Sequence, residues 1–141
     1  MSDFYKYFKE NMDGLGLPAP ETLFASAQMA VTNALIFLGH IDKFGATITV
    51  RELIVAGTRL ERLGVVATTS AAFYVGAVVG SIAVATGRNI VGRASIADVL
   101  LTANKYWLNR PWLVVTLHRW PGIYQRGRAG RNTYRFHALP Q

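Results

Sequence analysis

The chain has 141 residues, enough for one domain with a real core; 51% are hydrophobic and only 16% are charged. That balance excludes a disordered chain and is apolar for a small soluble domain, which has much surface to cover. The net charge is +7 and cysteine is absent, which excludes a disulfide framework and a thiolate metal site.

The opening MSDFYKYFKENMDG lacks the basic-then-apolar order of a secretory signal. The expectation is a protein made in the cytoplasm and exported without that route. Ser2 or Asp3 is placed to cap a short helix over Phe4 to Met12, which Gly14 and Gly16 end. Leu17-Pro18-Ala19-Pro20 reads as an extended connector. Pro20 and Glu21 suit the first turn of a second helix that runs to about Lys43, with Gly45 as its stop. No charge falls between Glu21 and Asp42. Ala46 to Val50 is a short β-branched piece. Thr49 and Glu52 fit a capping box that opens a third, amphipathic helix carrying Leu53, Ile54, Leu60 and Leu63.

Leu63 to Gly87 is the longest charge-free run, at 25 residues. As one helix it would be about 37 Å long, enough for a bilayer core that needs roughly 20 apolar residues. Gly64, Thr68, Ala72, Gly76 and Gly80 step by four along it, a small-residue stripe that lets another backbone come close. Val78 lies on a different face. In the first apolar stretch Ser26, Ala30 and Ala34 step by four as well, with Asn33 among its polar side chains. The fold class expected is all-α: a small helical bundle in which two long hydrophobic helices form a hairpin. Such a hairpin is either the buried centre of a soluble bundle or an element that opens into a membrane. In the membrane its hydroxyl and amide groups would line a path without a fixed charge.

Ser95 and Asp98 form a second capping box, opening a helix to about Leu108. Pro111 opens the next helix and Pro121 closes it. No acid follows Asp98, whereas Lys105, Arg110, Arg119, Arg126, Arg128, Arg131 and Arg135 do. Beside hydrophobic runs, this basic end matches anionic lipid or an acidic protein better than nucleic acid. Trp107, Arg110, Trp112, Arg119 and Trp120 make a pattern suited to a membrane interface, to a protein interface, or to closing the bundle. The domain expected spans 1–124, with 125–141 a basic, loosely ordered tail.

Enzyme signals are poor. His40, His118 and His137 are scattered, the acids do not cluster, and no metalloprotease helix or nucleophile elbow occurs. Gly87 to Ser95 has arginine at the lysine place of a phosphate loop, without a preceding strand. The expectation is a protein that is not an enzyme and uses no cofactor or metal.

The stretches MSDFYKYFKENMDGLGLPAPETLF, FYVGAVVGSIAVATGR, SIADVL, RPWL and RWPGIY, within residues 1 to about 124, resemble a group of small antibacterial effectors of the bacterial type VI secretion system. Members of that group form pores in the inner membrane. The resemblance implies a toxin held as cargo by a secretion-tube or chaperone protein. Delivered to a rival cell, it would enter the inner membrane and dissipate ion gradients. It also implies a cognate immunity protein, contact with membrane lipid, and a further copy of the chain as a candidate partner. The rival expectation is a soluble helical binding or adaptor protein acting through protein contacts.

Overall fold

The computed structural model describes residues 3–55, 66–87 and 95–138. Among the described residues seven α-helices follow one another: α1 (Asp3–Gly14), α2 (Glu21–Phe24), α3 (Ala27–Phe44), α4 (Val50–Val55), α5 (Ala71–Gly87), α6 (Ile96–Lys105) and α7 (Pro111–Arg119). Two short 3-10 helices, Pro121–Ile123 and Arg131–Phe136, complete the described chain. Among the described residues the extended backbone pairing is a single isolated bridge, Thr49 to Ser70. The fold is all-α.

Helix α5 organises the rest. It carries no charge, and every residue from Ala71 to Ala85 is buried. A helix that is apolar on all sides can only sit in the middle. Around it pack α1, α3, α6 and α7, each of which has one apolar stripe. On α1 the stripe is Phe4, Phe8, Asn11 and Met12. On α3 it is Ala30, Ala34, Phe37, Leu38 and Ile41, and its two alanines bring the backbones together. Val99 and Ala103 face inward from α6, and Leu113 and Leu117 from α7. Phe8 joins α1 to α2 by ring contacts, 5.4 Å from Phe4 and 4.8 Å from Phe24 between centroids.

The expected hairpin of two long helices is corrected on three points. First, the Glu21-to-Lys43 helix breaks at Ser26. Ser26 is extended (φ −139°, ψ 163°), and its Oγ caps α3 by accepting from Met29 N at 3.2 Å. Asn33 Nδ2 then takes the freed Leu23 carbonyl at 2.7 Å. Second, α5 begins at Ala71, not Leu63, because the backbone before it is already engaged. Val50 N donates to Thr69 O at 2.9 Å, Arg51 N to Ala67 O at 2.8 Å and Ser70 N to Ala138 O at 2.7 Å. Third, α5 is sheathed by several helices instead of being paired with one. Among the described residues no helix is long and apolar enough to cross a membrane.

Local signals held elsewhere. Both capping boxes close as written, Glu52 N to Thr49 Oγ1 at 3.4 Å and Asp98 N to Ser95 Oγ at 3.2 Å. Hydrogen bonding to Ser95 holds the Asp98 carboxyl below its ordinary range. The connector's open carbonyls are taken by tyrosines, Tyr5 on Ala19 O at 2.8 Å and Tyr74 on Pro18 O at 3.0 Å. Within the segment after Tyr124, the described residues include the 3-10 helix Arg131–Phe136. There the Tyr134 ring lies 4.8 Å from that of Trp120, tilted by 52°, and Ala138 is buried.

Candidate functional site

The small-residue stripe lies partly on α5, and Gly76 and Gly80 are its tight points. A Cβ on Gly76 would sit 3.0 Å from Thr116 Cγ2 and 3.8 Å from Leu113 Cδ1, so α7 crosses there. A Cβ on Gly80 would overlap Ile123 Cγ2. Ala72 is buried one turn before. Thr68 is exposed and precedes the helix, and Gly64 lies outside the described residues. The glycines therefore admit α7 and the Pro121–Ile123 turn, not the other apolar helix. Val78 is equally buried, so the face carrying it is packed too. On α3, Ala30 and Ala34 are core residues, while Ser26 and Asn33 are engaged in capping.

A polar knot sits where α1, α5 and the C-terminal segment meet. Buried Asn11 donates from Nδ2 to Ser81 Oγ at 2.8 Å and to Ile123 O at 2.9 Å. Its Oδ1 accepts from Arg131 Nη1 at 3.0 Å, which also reaches Gly122 O at 3.0 Å. Desolvation is the main cause pulling the Arg131 pKa down from its usual value. Gly14 leaves the room for this guanidinium: a Cβ there would overlap Arg131 Nη2. Sequence reading missed the knot. A lone asparagine on an apolar stripe was its one trace.

The three tryptophans divide. Trp112 is half-buried against the core. Trp120 packs edge-on to Phe73 at 5.5 Å, with Arg119 5.2 Å above its ring. Trp107 is 81% exposed. Its φ of +65° lies in the left-handed region, which a bulky residue rarely adopts. Arg110 pins that turn, donating from Nη1 to Trp107 O at 3.1 Å and from Nε to both Asp42 carboxylate oxygens at 2.9 and 3.0 Å.

A surface hollow of about 420 Å³ lies between α5 and α6, lined by Thr86, Asp98, Thr102 and Lys105 among others. Among the described residues its lining holds one acid, Asp98, and one lysine, Lys105, with no nucleophile–base constellation. Among the described residues no three histidine, aspartate or glutamate side chains come together to hold a metal.

No family model, curated protein or solved structure matches the chain.

Proposed function

We propose that the protein is a membrane-active antibacterial toxin of the pore-forming kind, described here in its stored state. The observation that carries this reading is α5, a charge-free helix buried from Ala71 to Ala85 and wrapped by α1, α3, α6 and α7. In this reading the sheath keeps the chain soluble as cargo. At the inner membrane of a target cell the sheath opens, α5 enters lipid, and ion gradients collapse. A cognate immunity protein and a secretion-tube or chaperone protein are the partners it implies. Catalysis and cofactors have no part in it.

At 17 residues α5 is about 26 Å long, short of the roughly 30 Å hydrocarbon core. Insertion therefore requires α5 to lengthen toward its N-terminus. The sequence allows this, since no charge occurs from Leu63 to Gly87. What must yield are the backbone bonds of Ala67, Thr69 and Ser70 to α4 and to Ala138. The test is ion release from anionic-lipid vesicles loaded with a potassium or proton indicator. Release of small ions with retention of a large dye supports the reading. No conductance above background at micromolar protein, at neutral and acidic pH, overturns it.

A second reading is a soluble helical binding or adaptor protein. The length of α5 favours it, since the described helix fits the core of a soluble bundle without any rearrangement. It requires a stable complex with a protein partner and no effect on vesicles.

A further inference from the structure

Helix α3 has two contrasting faces. Ala30, Ala34, Phe37, Leu38 and Ile41 face the core. The opposite side carries Thr32, Ile36, Gly39 and Lys43, spaced so that they share one face, with Leu35 beside them. This outer side is in solvent, yet it bears no charge from Ala27 to Ile41. Leu35 is 38% and Ile36 47% exposed, and a Cβ on Gly39 would meet nothing. An ordinary surface helix puts charges there.

The C-terminal end of the same helix continues the pattern. Phe44 is 52% exposed, with the Lys43 ammonium 5.4 Å from its ring. Through Asp42, Arg110 ties this end to the exposed Trp107 turn. One guanidinium thus neutralises the acid at this edge and holds Trp107 out in solvent. Lys105 lies two residues before Trp107 and takes part in no ion pair among the described residues.

We propose that the outer face of α3, with Phe44 and Trp107 at its end, docks flat on an anionic lipid surface while the bundle is still folded. This rests on the membrane reading above and names the face that meets the membrane first. The chemistry fits lipid. A charge-free apolar face flanked by aromatic residues and lysines lies in the headgroup region, where cations meet anionic headgroups and Trp sits at the polar boundary. A second copy of the chain fits less well, since two chains of net charge +7 repel each other.

The test uses the full chain with vesicles of phosphatidylcholine alone or mixed with phosphatidylglycerol. Binding is read by sedimentation and by quenching of tryptophan fluorescence with brominated lipid. Ile36→Glu should weaken binding to the mixed vesicles by about tenfold or more, with unchanged circular dichroism and melting. Val115→Glu, the same change at an exposed position on α7 (64% exposed), should not. Trp107→Phe should remove most of the quenching, because Trp112 and Trp120 pack on the body. Equal losses in the two glutamate variants, or quenching that survives Trp107→Phe, would overturn the proposal. So would a dimer in solution that Ile36→Glu disperses, since a second copy would then cover the face. Docking without ion release would leave this inference standing and sink the pore reading. Ion release undiminished by Ile36→Glu would do the reverse.

Discussion

Arg131 and Asn11 are 120 residues apart in sequence and 3.0 Å apart in space, Nη1 to Oδ1. That single bond ties the last described turn to the first helix. Asn11 in turn holds Ser81 on the central helix, so three parts of the chain share one asparagine.

Removing Arg131 should therefore loosen the C-terminal segment. Arg131→Ala leaves Asn11 Oδ1 and Gly122 O without this donor. A buried acceptor left unpaired costs about 1–3 kcal/mol. Urea unfolding should show the loss in midpoint, and protease should cut after Tyr124 faster than in the parent. An unchanged midpoint and cleavage rate would mean the knot contributes nothing to holding the segment.

Gly80 should be less tolerant than Gly76. A methyl on Gly80 overlaps Ile123, whereas one on Gly76 meets Thr116 at a tight 3.0 Å. Overfilling of this kind typically costs about 1–3 kcal/mol. The ordering expected in thermal melts is parent, then Gly76→Ala, then Gly80→Ala. In a double-mutant cycle Ile123→Ala should offset part of the Gly80→Ala loss, because it removes the obstructing methyl. Additive losses would show that the two residues do not compete for the same space.

Tyr74 is fully buried, and desolvation pushes its hydroxyl well above the ordinary tyrosine range near about 10. A raised pKa in the folded state means that the folded chain keeps a proton that the unfolded chain releases. The stability this supplies is complete below the unfolded pKa and declines as pH rises past it. Tyr74→Phe removes that titration and leaves Pro18 O unpaired, at about 1 kcal/mol near neutral pH. The gap between parent and Tyr74→Phe should then shrink above pH ~10. A gap constant from pH 7 to 11 would contradict the buried hydroxyl.

Lengthening of α5 is open to a direct test at Thr68, exposed just before the helix. Proline inside a helix costs about 3 kcal/mol or more. Thr68→Pro should bar a helix that runs through this position but fall outside the stored α5. The expected result is a folded protein, judged by melting and far-UV circular dichroism, whose ion release is lost or strongly reduced. A folded Thr68→Pro variant that conducts like the parent would remove helix extension from the mechanism.

The sequence by itself determined the features that depend on neighbours along the chain. Both capping boxes, the proline connector and the start of α7 at Pro111 follow from local hydrogen bonding and fixed φ, and they stand where composition put them. The all-α class followed from apolar periodicity, and the need to shield a charge-free run followed from its length. Only the tertiary structure decided how that run is shielded. Whether Gly76 and Gly80 meet the other apolar helix of a hairpin or α7 and Ile123 depends on contacts more than thirty residues apart, which a spacing of four cannot specify. The break at Ser26 was hidden because its cap pattern sits inside an unbroken apolar stretch. The end of α5 at Ala71 was hidden because its competitor is a backbone bond to Ala138, 68 residues away from Ser70. The exposure of Trp107 and the partial burial of Trp112 and Trp120 likewise came from packing, since three tryptophans among arginines look alike until one of them is turned outward.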